Sequence, residues 1–395
     1  MDQIRILTKN ELDEALSLSQ FAFQYKLTNE EKARKKDRIK ENEVWGYFQN
    51  EDLASKLHLL SLQVFIQEVP FYMGGIASVA TWPEYRRKGM VKKLLKKVLI
   101  KMKENGQTIS MLHPFSFPFY RKYGWETFIA YKKYTIDINQ IPRSEAADGT
   151  IKRIGKNRSL LNEIYTAYAK KYNGMLIRSE EWWKNLIFTQ KNHQTVVWYD
   201  EEQVPKGYAI YTVKDKRMKV EELIFLNEQA RCGLWNFISQ HDSMVHTVQL
   251  TVPESDQFSF VFENPSFKQE VVPYFMARII DVKDFLTQYP LKPSRSLFLH
   301  VYDEFASWNN GIFHLQNSKN GLLVKHFEKK TEKMACAHPP KRGLQCDIQT
   351  LTAMLLGYQR PTFLCEIGKL KGNKEEVAVW EQLISKKTTY FIDFF

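Results

Sequence analysis

Cysteine is scarce in this chain, and the cysteines present do not form pairs. Cys232, Cys336, Cys346 and Cys365 lie far apart and make no CxxC motif. That argues against a disulfide scaffold and suits a reducing, cytoplasmic setting. Cys336, His338 and Cys346 lack a fourth ligand and the spacing of a zinc site, so no metal is expected. Long apolar runs are missing too. No stretch of about 18 apolar residues occurs, so no membrane-spanning helix is expected. The start, MDQIRILTKNELDEALSL, carries charges throughout and lacks the apolar core of a signal peptide. Acidic residues are in deficit. The 45 Asp and Glu against 57 Lys and Arg leave a net charge of +12. Such a surface draws anions at long range, and a nucleic acid or an anionic cofactor would satisfy it equally.

What is present is ample apolar material. With 395 residues, 44% hydrophobic and 14% aromatic, the chain is long enough for several packed domains. Residues 10–24 read as an amphipathic helix. Residues 53–66 and 71–81 read as strands joined by a turn near Glu68 to Pro70. The clearest element follows Gly89, where Met90, Val91, Leu94, Leu95, Val98, Leu99 and Met102 recur at helical spacing, with Gly106 as its C-terminal cap. The segment TISMLHP then reads as a strand. Strand, basic helix, strand makes a βαβ-type unit.

The turn before that helix is the most informative stretch. In ATWPEYRRKGM a strand ends and a basic segment opens the helix. Between Arg86 and Lys103 stand nine basic residues and no acidic one. The first N–H groups of a helix lack intrahelical partners and carry the positive end of its dipole, so they suit an anion. Gly89 lets the backbone approach a phosphate closely, and Arg86, Arg87 and Lys88 add charge. The more distal lysines, from Lys92 on, read as a solvated helix face. Compared with itself, the chain repeats this pattern weakly. VATWPEYRRKGM aligns without a gap on LIFLNEQARCGL, residues 223–234, placing Glu84, Arg87 and Gly89 on Glu228, Arg231 and Gly233. The second copy has Ala230 for Arg86 and has lost the lysines. It reads as a duplicated domain kept for architecture.

The last third begins near Pro293. SLFLHVYDEFASWNNGIFHLQ alternates and reads as a hairpin turning at Asn309 to Gly311. DIQTLTAMLLGYQRP and VAVWEQLISK read as helices. The aromatic end, TTYFIDFF, looks suited to burial rather than to a polar tail.

RRKGMV, residues 86–91, resembles the pyrophosphate-binding motif of the GNAT acetyltransferase superfamily, with Val91 in place of its last small residue. FPFYRKYGWE, residues 117–126, is similar to that superfamily's second signature. With the pseudo-repeat, the hairpin and the aromatic terminus, the whole chain resembles the enhanced intracellular survival protein family. The resemblance implies an α+β fold: two tandem GNAT-like mixed α/β domains, the second degenerate, then a sterol carrier protein-like α/β domain. The expected boundaries are 1–145, 146–288 and 289–395. It implies acetyl-CoA as cosubstrate, with its pyrophosphate on the N–H groups of Arg87 to Met90 beside Arg86, and its pantetheine paired along Val79 and Thr81. The acceptor would be an amine, on a small molecule such as an aminoglycoside or on a lysine side chain. Tyr120 would be the acid that protonates the leaving thiolate. The base would be the chain's terminal carboxylate, on Phe395, anchored by that ring and by Phe394. Asp393 is a further acidic candidate near the acceptor. A homo-oligomer is implied, the family's form being a hexamer.

Two other readings compete. The last domain resembles a lipid carrier, so a hydrophobic ligand would fit a tunnel lined by Trp308, Phe313 and Leu315, although their alternation suits plain core as well. A nucleic-acid partner is not expected, because the basic run sits on one helix without interleaved aromatic platforms.

Overall fold

The computed structural model describes residues 2–40, 43–143, 148–189, 192–319, 321–328 and 342–395. Cys336 and His338 lie outside the described residues.

The chain opens with β1 (Asp2–Ile6), α1 (Leu12–Ala22), α2 (Asn29–Arg38), β2 (Val44–Gln49), β3 (Asp52–Ile66) and β4 (Val69–Thr81). β3 and β4 are joined at Gln67 and Glu68, both with positive φ, as a tight hairpin with right-handed twist requires. Next come α3 (Met90–Glu104), β5 (Ile109–Leu112), the short α4 (Phe117–Arg121) and β6 (Glu126–Thr127). The middle third holds β7 (Ala130–Asp137), β8 (Thr150–Arg153), α5 (Arg158–Ala169), α6 (Glu180–Trp182), β9 (Gln194–Tyr199), β10 (Pro205–Lys214) and β11 (Arg217–Phe225). It ends with α7 (Glu228–Ser239), β12 (Thr247–Pro253), β13 (Lys268–Pro273) and β14 (Met276–Ile279). The last third has α8 (Val282–Gln288), β15 (Leu297–Tyr302), β16 (Gly311–Ser318), β17 (Gly321–Glu328), β18 (Leu344–Asp347), α9 (Ile348–Leu355), α10 (Pro361–Glu366) and α11 (Lys374–Leu383).

Two seven-stranded sheets and one four-stranded sheet result. The first runs β1-β2-β3-β4-β5-β14-β6 and the second β8-β9-β10-β11-β12-β7-β13. Position for position the two orders match, which confirms the duplication. They match because each sheet lends one strand to the other. β14 lies antiparallel between β5 and β6, and β7 lies antiparallel between β12 and β13. Sheet membership therefore does not divide cleanly at residue 145, whereas the four-stranded sheet lies wholly after residue 288.

The gapless self-alignment is corrected at its most cited glycine. α7 already begins at Glu228, so Gly233 lies inside a helix and not in a turn before one. A Cβ at Gly233 would stand 2.1 Å from Trp198 Nε1. The glycine is there to let α7 pack on β9. Gly233→Ala is expected to lower stability by about 1–3 kcal/mol, the usual range for overpacking a core. Denaturant unfolding would read it, and an unchanged midpoint would mean that Trp198 moves aside freely.

The first sheet has two distinct faces. Leu57, Leu59, Ile76 and Leu112 pack beneath α3 with Leu94, Val98 and Met102. The opposite face, through Val64, Ile66, Met73 and Met111, shares one core with the last third, including Phe285, Leu299, Leu355 and Trp380. Phe313 and Leu315 are sealed in that same core. They line no tunnel, so their alternation reports a two-faced strand and nothing more. The hairpin β15–β16 forms, but its ends are bridged by 303–310 rather than a tight turn. Asp303 holds that bridge by accepting the N–H groups of Phe305 and Ala306 and by a buried pair with Arg278.

Candidate active site

The site starts from a fault in the β3–β4 ladder. Lys56 stands opposite Ala80 and His58 opposite Ala77, so β4 carries an extra residue there. Ser78 takes up the slack with φ 52°, in the left-handed region. The bulge bends β4 away from β5. β5 pairs with Met73 to Ile76 only, while β4 runs on to Thr81. Val79 and Thr81, the two positions assigned to pantetheine, lie on this departing segment with an edge open to a ligand. Thr81 Oγ1 is held by Ser55 Oγ at 2.8 Å.

The turn that follows has the features an anion cradle needs. Arg87 and Gly89 have φ of 65° and 74°. Gly89 is the N-cap of α3, and no side chain caps the helix. Its first N–H groups are therefore left for a ligand. A Cβ at Gly89 would meet nothing within 4 Å. Arg86, Arg87 and Lys88 are exposed around it, and only the backbone of Met90 belongs to the cradle, because its side chain is in the core. The second domain has no such cradle. Asn227 caps α7 through the N–H of Ala230 at 2.9 Å, and Glu228 puts a negative charge in the first turn. Further along α3 the lysines are not simply solvated. Lys96 Nζ donates to the Phe305 carbonyl at 2.5 Å, and Lys103 pairs with Asp281. They tie the helix to the last third of the chain.

Tyr120 and Phe395 lie on opposite faces of the first sheet, one on each side of the β4–β5 opening. Tyr120, on α4, belongs to the α3-side core and packs against Phe115, Phe119 and Trp125. Burial, with a lesser contribution from Tyr123, pushes its phenol well above the ordinary tyrosine range. Its hydroxyl bonds to no other described residue. Tyr123 packs edge-on to Phe119 and against Phe305.

The terminal segment reaches the other face. Phe395 packs on Phe275 and Phe391, and a Cβ at Gly75 would lie 2.8 Å from its ring. Gly75 is thus the seat of the terminal ring. Phe394 is no anchor. It is 61% exposed, and its ring meets only His113 and Phe275 among the described aromatic residues, both at steep angles. The anchor is Asp393, which the sequence had suggested for the acceptor. Its carboxylate accepts from Arg178 Nε at 3.0 Å, Trp182 Nε1 at 2.8 Å and Tyr165 OH at 3.2 Å. Arg178 in turn holds Glu222 with two hydrogen bonds of 3.1 and 2.7 Å. All of these groups are buried, so Asp393 is spent on structure. β11 leaves β12 after Val220 just as β4 leaves β5. In the second domain the departing β11 carries Glu222, which Arg178 ties to Asp393 of the tail.

Three residues that composition and motif did not point to also gather here. His113 follows β5 and is ringed by Tyr274, Phe275 and Phe394, and burial lowers its pKa. Lys56 and His58 sit beside the bulge on the face that carries Phe395. No local signal announces them, because their place depends on the register of β3 against β4.

Comparisons with known proteins bear on the succession of domains. Residues 3–128 and 174–279 match two family models, each described as an acetyltransferase (GNAT) domain, and residues 282–392 match a sterol carrier protein domain. An uncharacterized N-acetyltransferase of Streptomyces griseus is 22% identical over 273 residues, 62% of this chain and 65% of that one. The N-acetyltransferase Eis of Mycobacterium tuberculosis is 24% identical over 202 residues, 47% of this chain and 50% of that one. The chain thus spans less than two thirds of the length of these curated relatives. A crystal structure from Enterococcus faecalis, described as a conserved protein of unknown function and probable N-acyltransferase, covers both chains fully at 27% identity with a TM-score of 0.91. The class is a tandem GNAT protein with a sterol carrier-like third domain. Within it, the chain resembles the Eis-like GNAT N-acetyltransferases.

Proposed function

We propose that this chain transfers the acetyl group of acetyl-CoA to an amine, in the first domain only. The observation that carries the reading is the β4–β5 opening, flanked by the uncapped turn at Gly89, with Tyr120 on one face and the terminus on the other. The pyrophosphate rests on the N–H groups of Arg87 to Met90, with Arg86 and Lys88 adding charge. The pantetheine lies along Val79 and Thr81. The acceptor approaches from the Phe395 side. Tyr120 supplies the proton for the departing thiolate, and the terminal carboxylate of Phe395 draws the acceptor ammonium into place and serves as base. The acceptor class is a small-molecule amine, an aminoglycoside among them, or a lysine side chain. A cytoplasmic homo-oligomer, the hexamer of the family, goes with this reading. A lipid-carrier role has less support, because Phe313 and Leu315 are sealed in core.

Isothermal titration with acetyl-CoA tests the cofactor site. One site per chain is expected. Gly89→Val is expected to weaken binding by more than tenfold, or about 1.4 kcal/mol. A branched side chain there both strains the left-handed backbone and fills the cradle. Two equivalent sites, or undiminished binding by the variant, would remove the basis for the reading.

A further inference from the structure

The terminal carboxylate leaves one step of this chemistry unprovided. An unperturbed terminal carboxyl has a pKa of roughly 3.5, far too low to keep a proton taken from an ammonium. A better resting place for that proton lies on the same face of the sheet.

Lys56 and His58 alternate with Leu57 and so face away from α3, as do Leu62 and Gly75, which touch the Phe395 ring's seat. His58 stands opposite Ala77, two residues along β4 from Gly75. Lys56 is fully buried, yet no carboxylate among the described residues bonds to it. Its Nζ lies 3.3 Å from His58 Nε2 and 3.1 Å from the hydroxyl of Ser78, the bulge residue. Ser19 of α1 closes the group from above, 3.4 Å from Ser78 Oγ. The charged group acting from α2 is Lys35, which disfavours a positive charge on both members of the pair. His58 is only partly buried, and its Nδ1 bonds to no described residue.

A lone buried lysine without a counter-ion is costly as structure. Burial, and then Lys35, bring its ammonium down to about 7. Burial, Lys56 and Lys35 hold His58 well below the ordinary histidine range. Near neutral pH a large share of the pair is thus uncharged, and of the two the lysine is the stronger base.

We propose that His58 and Lys56 form a proton relay for the acetyl transfer, His58 taking the acceptor's proton and Lys56 storing it. The inference rests on the acetyl-transfer reading above. In the resting state Nε2–H of His58 donates to the neutral Nζ of Lys56, and Lys56 donates to Ser78 Oγ. The Phe395 carboxylate takes a proton from the acceptor ammonium and hands it on to Nδ1 of His58. His58 passes its Nε2 proton to Lys56, which becomes an ammonium. The free amine then attacks the thioester carbonyl. The C–N bond forms, the C–S bond breaks, and the thiolate takes the proton of Tyr120. Before the next turnover Lys56 returns its proton to solvent, and the Tyr120 phenolate takes one up from solvent. Lys56 is therefore a positioning and storage residue, acting through His58. The bulge earns its place twice, opening β4 for the cofactor and turning Ser78 toward Lys56.

The test is the pH dependence of kcat/KM for the full chain with acetyl-CoA and a primary amine, read by thiol release. Because the relay works only when Lys56 is unprotonated, activity should climb through an acid limb with its midpoint near 7. Lys56→Met should lower kcat at least tenfold and abolish or displace that limb, with acetyl-CoA affinity kept. His58→Gln should do the same while leaving Lys56 in place, which covers the case in which Lys56→Met fails to fold. Lys56 should also titrate near neutrality by NMR in the free protein, independently of turnover. An ordinary lysine titration, or an unchanged acid limb in both variants, overturns the relay while leaving acetyl transfer intact. No turnover by the parent chain with any amine would overturn the acetyl-transfer reading and the relay with it.

Discussion

Tyr120→Phe is expected to lower turnover by about 10²–10⁴-fold while acetyl-CoA binds as before. The ring is held by Phe115, Phe119 and Trp125, and none of these contacts uses the hydroxyl. The substitution therefore removes a proton donor and almost nothing else. Burial keeps the phenol protonated far beyond neutral pH, so the acid is always loaded. The same dry surroundings raise the basicity of a thiolate released beside it, which keeps the transfer favourable. Steady-state kinetics together with a cofactor titration separate the two roles. If turnover falls only a few-fold, water protonates the thiolate and Tyr120 is packing. Tyr123→Phe is the control. Its ring lies against Phe119 and Phe305, outside the proposed chemistry, and a small effect is expected.

Amidating the carboxylate of Phe395 should cost turnover about 10²-fold or more. The ring stays in its seat over Gly75 and Phe275, and only the charge is lost. Appending one or two residues should act more severely, since the added atoms must enter the opening. In both cases the unfolding temperature and acetyl-CoA affinity should hold, because the tail is fixed upstream. Asp393 is clamped by Arg178, Trp182 and Tyr165, and the Asp393 carbonyl accepts from Tyr274 OH at 2.9 Å. If the aromatic end were merely core, extension would instead lower stability, and activity would fall only as far as folding does. A C-terminally tagged chain with full turnover would remove the carboxylate from the chemistry.

How much of this was legible in the sequence follows from how local each feature is. The helix after Gly89 and the turn before it are written in consecutive residues, and the structure places both where the spacing predicts. The hairpin β3–β4 is similarly local. The repeat was visible, but Gly233 was matched by letter rather than by place, because α7 starts at Glu228 and needs its glycine against Trp198. Asp393 was misread for a different reason. Its meaning depends on Arg178 and Glu222, which are remote in sequence and meet only in the fold. The pair at Lys56 and His58 was invisible for the same reason, since a slip of register decides which side chains face the bulge.

The reciprocal loan of β7 and β14 sets the order in which the chain can mature. The first sheet cannot close between β5 and β6 until Met276 to Ile279 have been synthesised. Until then a nascent chain holds an open gap in its sheet, with the β5 edge unsatisfied, and such edges recruit other strands. Pairing across so long a stretch of sequence is also slow to find. A fragment ending near residue 128 would lack β14, and one starting near residue 146 would lack β7. Neither piece is a separable module, so the two halves of the duplication must rise and melt as one cooperative unit.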